Sequence, residues 1–314
     1  MALMLAATVV LSCARDSSPK RPEFRIGIAI DTARVDRWWD ATGWRKPIPQ
    51  ILENWRLYLA STSSFDAVEK LGFSPYWATA DQRDFKSYDI ARGRVDAFGA
   101  SATVLHLAPS SPGATDRYEI RTLFSWPHST PGRVPHVAIV RVYATRENGR
   151  WVFSNVLSDL TRDWPREKVG PITYIMQPGH RFDRTRAERA VAFSDSLAEV
   201  FGVPAITDLE YYVTDSREEM YRIVGIDWYA DYGEPGGGFA MPRDKRLFSG
   251  DVLVGEEHRH ELTHVVLQSL DSSKSHWITS EGLATWFGGT LGQDAAVTLT
   301  RYAGLSPPTS GDHT

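Results

Sequence analysis

The segment Glu256–Leu270, EEHRHELTHVVLQSL, constrains the fold of this chain more than any other, because its apolar residues recur at helical spacing. Apolar residues at positions i, i+3, i+4 and i+8 predict an α-helix with one face in a core. That stripe consists of Leu262, Val265, Val266 and Leu270. His260 and His264 are one turn apart, so they lie together on the other face.

The two histidines of this helix can direct both imidazoles at one point, which is how histidine pairs bind metals. Zinc accepts histidine nitrogens at about 2.0–2.1 Å and favours a tetrahedral arrangement. Glu261 follows His260 and lies roughly 100° round the helix from it. A carboxylate there is beside the metal rather than aimed at it, which suits a general base for a metal-bound water.

A second segment, HWITSEGLATWFGG at His276–Gly289, offers a third ligand. Thr279 or Ser280 is predicted to cap a helix with Glu281 in its first turn, where a carboxylate favours the helix dipole. Gly282 is predicted to let this helix approach its neighbour closely. Its apolar stripe and its C-terminal stop consist of Leu283, Trp286, Phe287 and the pair Gly288-Gly289. A loop of about ten residues would let Glu281 reach the two histidines.

HELTH followed by SEGLATW resembles the gluzincin clan of zinc metallopeptidases, especially the subgroup with an EGLA helix, over about residues 170–290. The resemblance implies one Zn²⁺ per chain and a peptide or protein substrate. It implies zinc ligation by His260, His264 and Glu281, with Glu261 as the base. It also implies a glycine-containing edge strand that pairs with the substrate backbone. The matching residues are Gly237, Gly238, Phe239 and Ala240, although glycine-rich strands also mark plain bulges.

The chain departs from the clan after Glu281, where 33 residues remain. The clan normally adds a helical segment there, which often supplies an oxyanion donor. Tyr302 is the one tyrosine downstream, and packing is the alternative role for it. Either the chain is truncated or the oxyanion donor comes from elsewhere. The alternative to a peptidase is a catalytically degenerate module that binds zinc and holds peptides or partners. A third possibility assigns the function to the first half of the chain, as a ligand-binding cone.

The chain is predicted to be α+β, with two domains. Residues 24–165 form an N-terminal domain of a helix and an antiparallel sheet. Apolar residues at 51, 55, 58 and 59 mark that helix, and Asn148-Gly149 predicts a β-hairpin. DWPREKVGP, at 163–171, is the predicted boundary. Residues 166–314 form a zincin-like domain with a mixed sheet and the two helices described above. This domain also contains a predicted helix near 184–201 and a second helix that begins with a capping box at Ser216-x-x-Glu219.

Residues 1–13 resemble a signal peptide ending in the lipobox of bacterial lipoproteins. A short apolar run, ALMLAATVVL, leads to Ser12-Cys13, although no Lys or Arg precedes it. In that family the cysteine is lipidated, so Cys13 is the predicted lipidation site and residues 14–23 a tether. The chain is then exported and anchored in the cell envelope, or secreted if Cys13 is not lipidated.

Charge and isolated side chains add smaller expectations. The net charge of −4, with both signs interspersed, argues against a nucleic-acid partner. The sequence leaves the oligomeric state open. His258 and His276 flank the two motifs and are predicted to be solvated, with a contact to the metal ligands as the alternative. A predicted solvated face contains Arg184, Arg186 and Arg189, and a predicted loop contains Trp228, Tyr229 and Tyr232.

Overall fold

A computed structural model describes the regions that carry both motifs and most of the predicted strands. The described residues are 28–29, 43, 45–61, 75–81, 101–125, 136–230, 237–241, 245–268, 277–290, 292–293 and 295–297. They form an α+β structure with one mainly antiparallel sheet and one mixed sheet, in agreement with the predicted class. Cys13 and Tyr302 lie outside the described residues, as do the predicted signal peptide and tether, which stay predictions.

The first sheet has the strand order β1-β2-β3-β4-β5, and β9 pairs with β4 beside this path. Its strands are β1 (Ile28–Ala29), β2 (Ser101–Pro109), β3 (Arg117–Ser125), β4 (His136–Glu147), β5 (Arg150–Ser154) and β9 (Ile226–Tyr229). Asn148 (φ 49°) and Gly149 (φ 78°) connect β4 to β5. Two consecutive left-handed residues define the tight turn that matches the twist of a hairpin, so the predicted hairpin is confirmed.

Helix α1 (Ile48–Ser61) packs on the inner face of this sheet. The predicted apolar stripe is confirmed, because each of its members is at most 3% exposed. These members are Ile51, Trp55, Tyr58 and Leu59. Burying each of these side chains stabilises the fold by about 2 kcal/mol. The indole Nε1 of Trp55 also donates to Thr122 Oγ1 at 3.0 Å, which fixes the helix on β3.

The second sheet has the order β10-β11-β8-β7-β6 and carries the second motif region. Its strands are β6 (Arg166–Val169), β7 (Ile172–Met176), β8 (Leu209–Val213), β10 (Gly238–Met241) and β11 (Arg246–Ser249). The three central strands, β7, β8 and β11, are parallel, and the edge strands β6 and β10 are antiparallel to their neighbours. Strand β10 covers Gly238, Phe239 and Ala240 of the predicted glycine-containing strand.

The helices of this region begin and end largely where the sequence predicts. After α2 (Leu157–Leu160), they are α3 (Arg184–Phe201), α4 (Arg217–Ile223), α5 (Arg259–Leu267) and α6 (Trp277–Gly288). Helix α3 ends at Gly202, which adopts the left-handed conformation (φ 61°). Helix α4 begins at Ser216, whose Oγ accepts from the Glu219 N–H at 3.2 Å. None of the helices in the described ranges combines the length and hydropathy needed to cross a bilayer.

Two strands were not expected from the sequence. The proline-containing segment 163–171, predicted to be a boundary, contains β6, a polar edge strand whose charged residues stay exposed. The predicted loop at Trp228 and Tyr229 is wrong, because both residues belong to β9, where Tyr229 is 3% exposed. Tyr232 lies outside the described residues. Strand β9 joins the first sheet although it follows residue 166, and the division into two domains stays a prediction.

Candidate metal centre

Helix α5 is held against the second sheet and α3 by its apolar face. Leu262 is 0% exposed in the core below the sheet, and Val266 packs against Leu197 and Ala198 of α3. Val265 is partly buried against the same core as Leu262, and Leu270 lies outside the described residues. The predicted stripe is confirmed for the described positions. His260 and His264 therefore lie on the opposite, half-buried face of the helix.

Helix α6 brings Glu281 to this face from the second turn rather than the first. The helix begins at Trp277, so the prediction that Thr279 or Ser280 caps it is wrong. The Ser280 hydroxyl instead lies 3.1 Å from His264 Nδ1. A hydroxyl that partners an imidazole on the neighbouring helix does not cap its own helix. Ser280 therefore contributes to the histidine site and not to the start of α6.

The close approach of α5 and α6 occurs at Gly288, not at Gly282. A Cβ on Gly288 would lie 2.5 Å from Arg259 C and His260 Cα and would also collide with His260 N. A Cβ on Gly282 would meet nothing within 4 Å, so the predicted role of that glycine is wrong. The helix backbones thus touch at the C-terminal end of α6. Trp286 is 65% exposed and does not join the packed stripe as predicted, whereas Phe287 packs on Phe201.

The three predicted ligands meet at one point. His260 Nε2 lies 3.4 Å from one oxygen of the Glu281 carboxylate, and His264 Nε2 lies 3.4 Å from the other. The ligand atoms of the three residues all lie within 4.8 Å of one another. Bonds of about 2.05 Å in a tetrahedral site place neighbouring ligand atoms about 3.3 Å apart. The two nitrogen–oxygen separations therefore match those of ligand atoms around a single zinc ion.

The hydrogen bonds of the two imidazoles fix the orientation of the rings relative to Glu281. His260 Nδ1 lies 3.0 Å from the Gly289 carbonyl oxygen, which can only accept, so Nδ1 carries the proton. The lone pair of His260 is then on Nε2, the atom that faces Glu281. His264 Nδ1 lies 3.1 Å from Ser280 Oγ, a hydroxyl that can accept from Nδ1–H or donate to Nδ1. Metal-binding histidines commonly donate their second ring N–H to such a group.

Glu261 lies beside the three ligands in a buried environment. Burial, with the nearby Glu281 charge as a second cause, raises the pKa of Glu261 to about 8. The backbone N–H of Ala240 donates to its carboxyl group and acts in the opposite direction. In the absence of a metal ion, a carboxyl group with this pKa holds its proton at neutral pH. A cation bound by the three neighbouring side chains would favour the charged form, which is the form that accepts a proton.

Strand β10 is the element nearest to Glu261 on the sheet side. It covers Gly238, Phe239 and Ala240 of the predicted strand and is the edge of its sheet, paired on one side with β11. Gly237 precedes the strand at φ 147°, and its carbonyl accepts from the Gly250 N–H. The Phe239 ring points away from the ligands and stacks on Phe248 at 4.6 Å. The edge strand thus lies beside the candidate site, with the Phe239 side chain packed against the core.

The prediction that His258 is solvated is wrong. The residue is 4% exposed, and burial, with the neighbouring His260 as a further cause, lowers the pKa of its imidazole to about 3. His276 lies outside the described residues. The predicted arginine face of α3 is partly exposed and forms ion pairs. Its contacts are Arg184 with Glu167, Arg186 with Asp183, and Arg189 with Glu257.

A partly buried ion-pair network holds the segment that leads into α5. The His180 ring lies 2.9 Å from the Glu256 carboxylate on one side and 2.9 Å from Asp215 on the other. Its hydrogen bond with Glu256 raises the pKa of His180, and burial opposes this. Burial works against the charge of Glu256, but the hydrogen bonds from His180 and the Asp183 N–H outweigh it and lower the pKa of that carboxyl group. Glu256, the member of this network in the α5 segment, lies four residues before His260.

Sequence reasoning missed three contributors to the site. Ser280 and the Gly289 carbonyl orient the histidines, and Gly288 allows the two helices to touch. The pair Gly288-Gly289 is predicted to end the helix, and α6 does end at Gly288. The one sequence signal for the contact of the Gly289 carbonyl with His260 is this second glycine. No protein-family model, curated protein or solved structure matches the chain.

Proposed function

We propose that this protein is a zinc-dependent metallopeptidase that cleaves peptide bonds. His260, His264 and Glu281 would hold one Zn²⁺, and Glu261 would be the general base. The observation that carries the proposal is the fit of the ligand set, with each Nε2 3.4 Å from a Glu281 oxygen and each Nδ1 bonded to a partner. When bound, zinc would supply Lewis acidity and lower the pKa of water.

The residues around these ligands can provide the remaining parts of a hydrolysis reaction. Glu261, in its charged form, can accept the proton of a water molecule and pass it to the leaving amine. Glu261 and the histidines are half-buried or buried, which strengthens their electrostatic interactions. Strand β10 has β11 as its one partner strand among the described residues, and its outer edge can pair with an extended peptide through backbone hydrogen bonds.

Substitution of Glu261 by Gln tests the proposal. The variant keeps the shape of the side chain and leaves the three ligands untouched, so it should bind zinc as the parent protein does. Its turnover should fall by roughly 10²–10⁴-fold, the contribution of a positioned base. Elemental analysis measures the zinc, and mass spectrometry of a digested peptide library measures the cleavage.

Glu257→Gln is the matched control. Glu257 lies in the same segment but pairs with Arg189 and Arg259 rather than with the ligands, so its amide should leave turnover unchanged. Equal activity in Glu261→Gln and the parent protein would refute the mechanism. A parent protein that binds one zinc and cleaves nothing in the library would support the alternative, a zinc-binding module that holds peptides without cutting them.

A further inference from the structure

The backbone of His258 is fixed to the second sheet just before α5 begins. Its N–H donates to Tyr211 Oη at 3.0 Å, and that hydroxyl donates to the Gly255 carbonyl at 2.6 Å. Tyr211 belongs to β8, is 0% exposed and cannot move without disturbing the core. The His258 ring therefore projects from a rigid point between the sheet and the helix that carries the ligands.

The His258 ring fills the place where a side chain at position 238 would lie. A Cβ on Gly238 would be 2.6 Å from His258 Nε2 and 2.7 Å from its Cδ2. It would also be 2.7 Å from the Phe248 carbonyl oxygen of the neighbouring strand. Only glycine lets β10 lie directly on the imidazole. The thickness of this ring thus sets how near the strand comes to α5.

The opposite face of β10 is anchored in the aromatic core. Phe239 stacks on Phe248 with the ring centroids 4.6 Å apart and on Tyr221 at 6.2 Å. Successive strand residues point to opposite faces, so Gly238 and Ala240 lie on the α5 side. The Ala240 N–H donates to Glu261. The edge strand is therefore held between an aromatic stack and the His258 ring, within hydrogen-bonding reach of the proposed base.

The imidazole of His258 contributes no ion pair to this arrangement. Its Nε2 has no hydrogen-bond partner among the described residues. A buried polar atom without a hydrogen-bond partner lowers the stability of the fold, so a gain in stability does not explain why a histidine occupies position 258. The role that its contacts support is steric.

We infer that His258 is a positioning residue for peptide binding: its ring supports β10 so that a peptide paired to this strand passes Glu261 at reacting distance. The function of the strand in this inference rests on the proposed peptidase activity. The support of β10 by the ring rests on the contact with Gly238 alone. The two parts can therefore be tested separately.

Substitution of His258 by Ala removes the spacer. Amide hydrogen exchange of residues 238–241 should then become at least about 10-fold faster, because the strand loses its support on one face. Zinc stoichiometry should stay at that of the parent protein. The value of kcat/KM for a peptide substrate should fall by roughly 100-fold through kcat, since a displacement of about 1 Å has that effect on a reacting geometry.

Three further variants separate positioning from general stability. Leu209→Ala is a comparable truncation at a buried site in β8, away from β10, and should leave exchange in 238–241 unchanged relative to the rest of the sheet. His258→Phe keeps a flat rigid ring and should retain at least about a third of the parent kcat. His258→Gln keeps a polar atom near the Nε2 position without a ring and should behave like His258→Ala.

The outcomes are distinguishable from failure of the peptidase proposal. If the parent protein binds zinc and cleaves nothing, the exchange measurement still decides whether the ring supports β10. Unchanged exchange in His258→Ala would overturn the inference, whatever the activity. Equal losses of kcat in His258→Phe and His258→Ala would overturn it as well, because a steric spacer needs only the ring.

Discussion

Substitution of Gly288 by Ala gives a direct test of how the two helices form the site. The added Cβ would lie 2.5 Å from Arg259 C and His260 Cα, and these atoms are backbone and cannot rotate away. Ordinary carbon–carbon contact requires about 3.4 Å or more. The helices α5 and α6 must therefore separate by about 1 Å at this point. Glu281 lies on α6 and both histidines lie on α5, so the separation moves the ligands apart.

The expected magnitude follows from the tolerance of a zinc site. Metal–ligand distances vary by about ±0.2 Å in sound sites, and a displacement of about 1 Å is several times larger. Zinc affinity should fall by roughly 100-fold, at the upper end of the effect of disturbing groups around the ligands. The metal-free protein should lose about 1–3 kcal/mol of unfolding free energy from overpacking.

Competition with a chromogenic chelator measures the zinc affinity, and urea unfolding in EDTA measures the stability. Gly282→Ala is the matched control, because the same substitution on the same helix would meet no atom within 4 Å. It should bind zinc normally and gain up to about 1 kcal/mol from the better helix propensity of alanine. If Gly288→Ala binds zinc as tightly as Gly282→Ala, the contact of α5 with α6 does not assemble the site.

Two other perturbations test the surroundings of the ligands. Ser280→Ala removes the partner of His264 Nδ1 and should weaken zinc binding by about 10- to 100-fold in the same chelator assay, whereas the exposed Thr279→Ala should not. His180→Ala leaves the Glu256 carboxylate buried without its imidazolium and should cost about 3 kcal/mol in urea unfolding of the metal-free protein. This loss of stability should be largest between about pH 4.5 and 6.5. Because the pKa of His180 is raised in the folded protein, its contribution is complete below pH 6.5 and is lost as the pH rises through the folded pKa. Because the pKa of Glu256 is lowered, its contribution is complete above pH 4.5 and is lost as the pH falls through the folded pKa. A loss that is constant with pH would refute this assignment.

The local and periodic features of this chain could be predicted from the sequence. The stripe of α1, the Asn148-Gly149 turn and the end of α3 at Gly202 each depend on residues a few positions apart. The same holds for the histidine pair of α5, whose common face follows from helix geometry alone. The α+β class follows from the order of such elements, which the sequence displays directly.

The contacts between segments could not be predicted in the same way. The sequence assigns Ser280 to a helix cap. Its hydroxyl group instead contacts His264, which lies 16 residues earlier on another helix and leaves no local signal. Gly282 and Gly288 lie on the same helix, and only the crossing point of α5 and α6 decides which one must lack a side chain. His258 lies outside the helical repeat, so its burial under β10 left no periodic signal.

Zinc K-edge X-ray absorption on the protein loaded with one equivalent of Zn²⁺ tests the central claim most directly. The account predicts a four-coordinate first shell in which two imidazole nitrogens, from His260 and His264, lie at about 2.0–2.1 Å together with oxygen from Glu281. Replacement of Glu281 by Ala should remove that carboxylate oxygen and keep both imidazoles. A six-coordinate shell without imidazole scattering, or a failure to retain stoichiometric zinc, would contradict the account.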